Sequence, residues 1–446
     1  MLVLAAVSVL TSMGIEFAYN TSIYSTLAQN ESDRLKAFYL AKSAYNFMQL
    51  ELKFDRMFRQ IVQSQNLGKF LGGNAQLPLC QQFPLSTGLI RAVFLEGTLP
   101  GMPGGEEGTA EGADQGAQKP EAAAAPDGEA GKAGEAIEGA RKLSSLSQEQ
   151  GAKDFLQFEG DFDGECVDEG TKIDLNGFFG LSQAEGAEGV PSAFDQYKQF
   201  LFRFLSQPKI KPLFEKLELR MGDVLNNIGD WVDANAEIND FGGRSGGAEV
   251  SLYQREGASY PVRNGKLVTL LEAYLIDGVI DEWFEPIMDS FTIYGDGTVN
   301  ACTSSPEIVE SLIRRYVDAT PNLPPLRLED PEEMGRLTQA VTDTCAAGAQ
   351  GDQLKQAIAQ ALSQAIGSVS GGAAAPATPG AATPAAGGAA GTGAASGFAA
   401  YLRTDPRYYT LKLAGQTADT TVRIKAVLDV KETDPKKWKL LYWKVY

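Results

Sequence analysis

The sequence predicts an α+β protein, in which one long N-terminal helix packs on a small antiparallel sheet and a large all-α domain is inserted between the strands. Three observations predict it. A proline-free helical pattern covers the first 65 residues of the 446-residue chain. Helical patterns also fill the middle of the chain. Residues 408–446 instead alternate polar and apolar side chains, which is typical of half-buried antiparallel strands.

The N-terminal helix is predicted over residues 1–65. Residues 1–15 are uncharged and almost wholly apolar, and residues 16–65 repeat apolar and aromatic side chains at helical spacing. The apolar run lacks the basic start and the small-residue cleavage site of a secretory signal. It is also shorter than the ~20 apolar residues of a full membrane span. We interpret the helix as the stem of a pilin-like subunit, with a signal peptide and a simple membrane anchor as alternatives.

Composition divides the chain that follows. Residues 66–96 are predicted to connect the stem to the rest of the pilin-like module. Residues 97–150 hold ten acidic and four basic residues and almost no large apolar side chain, which predicts a disordered loop because little surface can be buried. Residues 371–397 contain only Gly, Ala, Pro, Thr and Ser, the composition of a flexible linker.

Strands and helices are predicted on either side of these two segments. Residues 151–180 are predicted to hold two strands of the sheet, residues 181–370 to form the inserted α-domain, and residues 398–446 to supply the last three strands. The strands are expected at 155–162, 171–175, 408–413, 420–430 and 438–445, and the helices of the insertion at 192–205, 211–219, 222–232, 267–275, 281–291, 306–316, 332–345 and 353–366.

Charge and composition exclude several classes of function. The chain carries 57 acidic and 39 basic residues, a net charge of −18, which argues against nucleic acid as a partner. Residues 401–446 differ, with ten basic and five acidic residues. This basic surface either steers assembly or is a solvated face of the sheet. Histidine is absent, which removes Ser-His-Asp and Cys-His catalysis and His-ligated zinc. We therefore predict a protein that is not an enzyme.

Residues 275–279 lie between two helical stretches and resemble the hairpin of a helix-hairpin-helix element. DNA-binding versions of that element have basic residues near the loop, whereas Asp277 and Asp281 make this one acidic. We expect a structural hairpin instead, with Trp283 and Phe284 in the core.

The four cysteines are Cys80, Cys166, Cys302 and Cys345. None belongs to a CxxC pair, so a zinc cluster or a thioredoxin-like motif is disfavoured. An even number in an exported chain predicts up to two disulfides, with three connectivities open. Free buried thiols are the alternative.

A candidate metal site lies within residues 229–253. Asp233, Asn235 and Glu237 alternate as D-x-N-x-E. Alternate oxygen ligands on a tight loop are how proteins gather hard cations such as Ca²⁺. A solvated acidic loop would show the same pattern.

The candidate does not follow the EF-hand pattern. Ile238 occupies the position of the invariant glycine, and Arg244 that of the bidentate glutamate. We therefore predict a different arrangement, in which Glu249 folds back across the glycine-rich turns. Asn300 and Thr303 either form turns or supply oxygens to the same cation.

Several segments, taken in order, resemble a known family: the K-type minor pseudopilins of the type II secretion system, also called general secretion pathway protein K. Their order and spacing span most of the chain outside the two low-complexity segments. The segments are EFAYNTSIYSTLA (16–28), AFYLAKSAYNF (37–47), TKIDLNGFF (171–179), DWVD (230–233), GGAEVSLY (246–253), LLEAYLIDGV (270–279) and TVNACTSSPEIVESLI (298–313).

The resemblance implies a pilin-like fold whose variable region holds a large α-domain. It implies a subunit that caps the periplasmic pseudopilus with I-type and J-type minor pseudopilins, after maturation by a prepilin peptidase. The protein would be anchored in the bacterial inner membrane by its single N-terminal helix, with its bulk in the periplasm. Secreted substrates and the outer-membrane secretin are further candidate partners. The resemblance also implies a structural Ca²⁺ in the α-domain, with these candidate ligands: Asp230, Asp233, Asn235, Glu237 and Glu249.

The sequence departs from the family in three respects. No prepilin leader precedes Met1, so we expect that it has been removed or that the true start lies upstream. The two low-complexity segments are unusually long, and Ala234 stands where more acidic residues are expected. Ala5 stands where most pilin-like subunits carry glutamate; the K-type family typically lacks this glutamate too, which fits a terminal subunit. The alternative functions are an N-terminally anchored calcium-binding adhesin, or another surface-exposed interaction protein, and a metal-dependent hydrolase.

Overall fold

The computed structural model describes residues 2–65, 77–91, 158–183, 191–240, 243–249, 253, 260–320, 323–347, 349–370, 397–432 and 434–446. The acidic loop predicted at 97–150 lies outside the described residues. So do all but the last residue of the linker predicted at 371–397 and about half of the connecting region at 66–96.

The described residues form ten α-helices and nine strands, numbered along the chain. The helices are α1 (Leu2–Gln65), α2 (Leu79–Gln82), α3 (Thr87–Arg91), α4 (Ala193–Leu205), α5 (Lys211–Lys216), α6 (Met221–Val232), α7 (Asp281–Phe284), α8 (Pro306–Ala319), α9 (Pro331–Ala346) and α10 (Gly351–Ser370). The strands are β1 (Leu85–Ser86), β2 (Asp161–Asp168), β3 (Ile173–Asp174), β4 (Glu237–Asp240), β5 (Gly243–Ala248), β6 (Phe291–Thr292), β7 (Tyr408–Thr417), β8 (Thr420–Asp429) and β9 (Lys439–Val445).

Helix α1 runs for 64 residues and includes the whole of the predicted amphipathic segment. Its buried stripe consists of small and apolar residues three or four positions apart, which is the spacing of one helix face. The stripe is Ala37, Ala41, Ala44, Met48 and Leu52. Residues 7–32 are exposed, so the first half of the helix projects beyond the sheet. Within the described part of the chain, no helix has an apolar stretch long enough to cross a membrane.

The five-stranded sheet has the order β1-β2-β7-β8-β9, and every neighbouring pair is antiparallel. Alternate residues of β7 and β8, among them Leu411, Leu413 and Ile424, are buried against α1. Gly415 lies where helix and sheet approach most closely. A Cβ placed on it would be 2.2 Å from the carbonyl oxygen of Ala37. The helix on an antiparallel sheet, with a largely helical insertion, is the pilin-like α+β architecture that the sequence predicts.

The structure places the strand predicted at 155–162 a few residues later in the chain, as β2 (Asp161–Asp168). Its alternating burial places Phe162 and Cys166 inward, with charged residues outward. The strand predicted at 171–175 shortens to β3, which pairs in parallel with β6 outside the main sheet. The carboxylates of Asp168 and Asp174 accept backbone N–H bonds two residues on, and these bonds form the short 3₁₀ turns on either side of β3.

The insertion, here called the inserted block (residues 169–407), is predominantly helical. Of the predicted helices, 267–275 is a 3₁₀ helix at Leu270–Leu275, and 281–291 divides into α7 and a 3₁₀ helix at Glu285–Ser290. Trp283 and Phe284 are buried as expected. The hairpin β4–β5 and the pair β3–β6 were not predicted.

The four cysteines form two disulfides, one in each half of the molecule. Cys80–Cys166 joins α2 to β2, and Cys302–Cys345 joins the turn before α8 to the last turn of α9. This is one of the three connectivities that the sequence left open.

The inserted block is attached at the end of the sheet opposite the projecting half of α1. The chain enters the block after β2 and returns at Tyr408, which pairs with Asp429 at the end of β8. Arg56, late in α1, lies at this end and donates to the carbonyl of Lys431 at 3.1 Å. At the other end, Lys36 forms an ion pair with Glu159 just before β2. The part of α1 before Lys36 therefore projects away from the block.

Candidate metal centre

Three carboxylates of the inserted block meet at the end of α6. Oxygens of Asp230, Asp233 and Glu249 lie within 4.8 Å of one another. Their side chains are 0%, 4% and 0% exposed. Asp230 and Asp233 are three residues apart, which places them on one face of the last helical turn. We call these three residues the acid cluster.

The hairpin β4–β5 delivers Glu249 to the helix end. Glu237 pairs with Ala248 at its open end, so the chain returns beside the point where it left. The N–H of Glu249 then donates to the carbonyl of Ala236 at 3.4 Å. This is the fold-back of Glu249 that the glycine-rich turns led us to expect.

Amide side chains hold one side of the acid cluster. The Asn239 side chain donates to Asp230 Oδ1 at 2.6 Å and to Asp233 Oδ2 at 2.9 Å, and its backbone N–H also donates to Asp230 Oδ1 at 3.0 Å. Gln183 donates to Asp233 Oδ2 at 2.8 Å. These bonds fix the orientation of both aspartates and leave the other side of the cluster to Glu249.

Three buried carboxylate oxygens on that other side have no hydrogen-bond partner among the described residues. They are Asp230 Oδ2 and both oxygens of Glu249, with the Asn264 amide near enough to Glu249 to lower its pKa slightly but outside hydrogen-bond geometry. Buried polar atoms in native proteins are nearly always hydrogen-bonded, and an unpaired buried charge is costly. Their convergence is therefore an electrostatic deficit that a cation would remove.

The pKa values of the cluster show the same deficit. Burial, then the neighbouring Asp230 and Asp233, raises the pKa of Glu249 to about 8. Burial raises the pKa of Asp230 to about 7, against the hydrogen bonds from Asn239. Burial also raises the pKa of Asp233 above its ordinary value. A divalent cation at the cluster would favour all three ionised forms.

The donor set fits a hard cation. Ca²⁺ takes six to eight oxygen ligands, commonly carboxylates together with carbonyl oxygens and waters. Besides the acid cluster, Asn264 has a buried side-chain oxygen without a hydrogen-bond partner among the described residues. Its amide nitrogen donates to the carbonyl of Asn235 at 2.5 Å, which holds the side chain beside the loop. Asp230, Asp233 and Glu249 would hold the ion, with Asn264 as a further oxygen.

The other sequence candidates lie around the cluster or away from it. Asn235 donates to Asp233 at 2.9 Å, and its oxygen accepts the N–H of Glu237, so it serves as a turn residue. The side chain of Glu237 is exposed on β4. Asn300 is buried at the junction with the sheet, where it donates to Asp168. Thr303 follows Asn300 in the same turn, where its N–H donates to the Asn300 carbonyl.

Sequence reasoning missed Asn239, Gln183 and Asn264. Asn239 follows Glu237 by two residues and continues the alternation that singled out the loop, so this signal was available. Gln183 precedes Asp233 by 50 residues, and Asn264 follows it by about 30. No local sequence pattern links either residue to Asp233. Only the packing of the block brings them together.

Comparison with solved structures shows a likeness in fold. The chain is similar to a chain in the crystal structure of the GspK-GspI-GspJ complex from the type 2 secretion system of enterotoxigenic Escherichia coli. The TM-score is 0.39 at 12% sequence identity, covering 65% of this chain and 80% of that chain. No protein-family model and no curated protein matches the sequence.

Proposed function

We propose that this chain is a K-type minor pseudopilin that caps the tip of a type II secretion pseudopilus and has no enzymatic activity. One observation carries the proposal: the inserted block is attached at the end of the sheet opposite the projecting half of α1. Arg56 marks the block end and the Lys36–Glu159 ion pair marks the other. In the sequence, the family segments listed above support the same assignment.

The geometry suits a terminal subunit. The projecting half of α1 exposes apolar side chains such as Ile15, Phe17 and Leu27, which a fibre would bury against neighbouring helices. A subunit added beyond the inserted block would meet that block in place of an open sheet end. Growth can then continue only on the stem side. The uncharged start of α1 would lie in the inner membrane before assembly, with the rest of the chain in the periplasm.

The proposed partners are an I-type and a J-type minor pseudopilin. The test is to label the full chain with gold, assemble it with these two partners and the major pseudopilin, and image the fibres. We expect one label at one end of each fibre. Labels spaced along the fibre would contradict the cap. A chain that remains monomeric with both partners would favour an anchored adhesin instead.

We also propose that the acid cluster binds Ca²⁺ as a structural ion that ties the β4–β5 hairpin to α6. What supports this is the set of unpartnered buried oxygens on Asp230 and Glu249. At a hundredfold excess over Kd, a ligand of the native state adds about 2.7 kcal/mol. For a domain of this size that corresponds to a rise in Tm of roughly 5–10 °C.

The measurement is thermal melting with EGTA, with Ca²⁺ and with Mg²⁺. We expect the rise with Ca²⁺ and a smaller one with Mg²⁺, because Mg²⁺ requires stricter octahedral geometry and dehydrates reluctantly. An unchanged Tm at saturating Ca²⁺ would remove the calcium proposal and leave the cap proposal untouched.

A further inference from the structure

A row of three lysines crosses the outer face of the sheet, the face turned away from α1. The strand register places Glu165 opposite Lys412, Lys412 opposite Lys425, and Lys425 opposite Lys444. Residues directly opposite on neighbouring strands have Cβ atoms about 4.5–5.5 Å apart. The row therefore reads acidic, basic, basic, basic from β2 to β9.

The one acidic residue of this row, Glu165, forms an ion pair only with the first lysine, Lys412. Lys412 lies 3.9 Å from Glu165. Within the described ranges, no ion pair involves Lys425 or Lys444. Like charges directly opposite one another destabilise a sheet. The last two lysines therefore leave a local excess of positive charge on a protein whose net charge is −18.

The row ends at the edge of the sheet. Strand β9 is last in the strand order, and no other described strand pairs with its outer side. Leu440, Leu441 and Val445 are exposed along it. An edge strand presents unpaired N–H and C=O groups that can accept another strand.

A cleft of about 320 Å³ adjoins this edge, between the sheet and the inserted block. Tyr442 and Lys444 line it on the sheet side, and Leu271 and Met288 on the side of the block. Three lysines line the cleft: Lys172 is already paired with Glu169 at 2.9 Å, and Lys425 and Lys444 are the two at the end of the row. Asp289 also lines the cleft, on the side of the block, so the excess of positive charge lies on the sheet side. The cleft is too small for a helix about 10 Å across, but it has room for side chains of an extended segment.

We propose that an extended acidic segment of a partner protein adds to β9 as a sixth strand, with a carboxylate opposite Lys444. That carboxylate would pair with Lys444 at one end of the row, as Glu165 pairs with Lys412 at the other end. Lysines on an edge strand also prevent self-pairing. That role agrees with the proposal, because pairing with a second copy of β9 would place the lysines Lys439 and Lys444 near lysines of the other copy, where like charges repel. The charge of the edge thus selects an acidic partner over a copy of this chain.

This inference depends neither on the cap nor on the calcium site, because it uses the outer face of the sheet and the cleft beside it, away from the acid cluster. The probe is a fluorescein-labelled alternating Glu-Thr peptide, titrated with the full chain and followed by fluorescence anisotropy. Amide hydrogen exchange of β9 is measured with and without the peptide. We expect saturable binding that weakens with salt, together with slower exchange along β9.

The variants are Lys444→Glu and, as a matched control of equal charge change, Lys437→Glu in the turn before β9. We expect Lys444→Glu to weaken the affinity for the Glu-Thr peptide about tenfold or more. The same variant should gain affinity for a Lys-Thr peptide. Lys437→Glu should change either affinity by less than about twofold, as for a charge outside the contact. Unchanged melting of both variants shows that the fold is intact.

Four results would overturn the proposal. They are no saturable peptide binding, equal losses in the two variants, unchanged exchange of β9, and binding of anionic phosphatidylglycerol vesicles, dependent on Lys444, in place of the peptide.

Discussion

Two buried groups of acids, one beneath the sheet and one in the inserted block, are balanced in opposite ways. Beneath the sheet, Asp55 is 2% exposed and forms an ion pair with Arg59 at 2.8 Å. Asp55 also accepts the backbone N–H of Leu79 at 3.0 Å. In the block, the acid cluster brings three carboxylates together, and Asn239 and Gln183 supply only neutral donors. Arg59 neutralises Asp55 directly, whereas in the acid cluster Lys198 opposes the raised pKa of Asp230 only in part.

The difference teaches what each group is for. Burial raises the pKa of Asp168, near the first group, to about 6, but Arg403 and Arg59 oppose the rise. Burial and two neighbouring acids raise the pKa of Glu249 to about 8. The Arg59–Asp55 pair lies within α1, and through Leu79 it joins α1 to α2 without an ion from outside. If the acid cluster binds Ca²⁺ as proposed, the stability of the block would depend on an ion from outside.

The largest expected effect comes from breaking the paired group. Arg59→Met should lower the free energy of unfolding by ~3–5 kcal/mol, because it leaves Asp55 buried without its cation. Adding Asp55→Asn should restore part of the loss. The measurement is urea unfolding followed by circular dichroism. The exposed Lys36–Glu159 pair is the control, and Lys36→Met should cost under about 1 kcal/mol. Equal losses in the two single variants would show that the buried pair has no special role.

The next effect concerns covalent support of the block. Replacing both Cys302 and Cys345 by serine opens a disulfide that spans 43 residues. Stability should fall by ~2–4 kcal/mol, since the unfolded chain regains its loop entropy. Denaturant unfolding without reductant measures this. The loss should be confined to the block, with hydrogen exchange of β7 and β8 unchanged. Faster exchange in those strands would mean that the two halves unfold as one.

A steric test addresses the contact between α1 and the sheet. Gly415→Ala should cost ~1–3 kcal/mol, because the added Cβ meets backbone atoms of Ala37 and Ala41 that cannot move independently. Gly88→Ala is the control, since its Cβ would find no atom closer than 3.9 Å. Thermal melting of both variants is the measurement. A Gly415→Ala protein as stable as the wild type would show that α1 is free to shift.

In the acid cluster the expected effect changes sign with calcium. With EGTA at pH 8, Glu249→Gln should stabilise the protein by about 1–2 kcal/mol, because it removes a buried unpaired charge. With Ca²⁺ the same variant should lose the rise in Tm. Glu237→Gln, at an exposed position on the adjoining strand, is the control and should keep the rise. A variant that is destabilised equally with and without Ca²⁺ would indicate a purely structural role for Glu249.

The last prediction is a dependence of stability on pH. The pKa of Glu249 is raised to about 8 in the folded protein, against ~4.3 in an unfolded chain. The folded state therefore holds a proton that the unfolded state has released. This contribution to stability is complete below about pH 4 and is lost as the pH rises through 8. With EGTA, Tm should fall over that range, and Glu249→Gln should flatten the fall. A Tm that rises towards pH 8 in EGTA would contradict the raised pKa.

Much of the fold could be predicted because helices, helix ends and strands depend on sequence patterns over a few neighbouring residues. The helix ends show this: Ser192 accepts the N–H of Asp195, and Asp330 accepts that of Glu332, as capping residues do. Strands β8 and β9 were predicted from their alternation to within a residue. Strand β2 was predicted too early in the chain, because its glycine and four acidic residues disfavour a strand until β7 pairs with them.

The candidate site was predictable only in part. Spacing and resemblance selected Asp230, Asp233 and Glu249, but they selected Asn235 and Glu237 as well. The structure separates these two sets by direction. Asn235 turns its oxygen to the backbone and Glu237 faces solvent, while the side chain of Asp230 is fully buried. Direction depends on how the hairpin folds back, which no local pattern encodes.

The sequence by itself determined the long helix, the helical insertion, the C-terminal strands and the absence of histidine chemistry, because periodicity and composition act over a few residues. The tertiary structure alone decided which cysteines pair, which acids converge at the end of α6, and which three lysines align across β7, β8 and β9. It also decided that the block lies at the end of the sheet away from the projecting helix. Each of these depends on strand register and packing between residues far apart in the chain, where local preference carries no information.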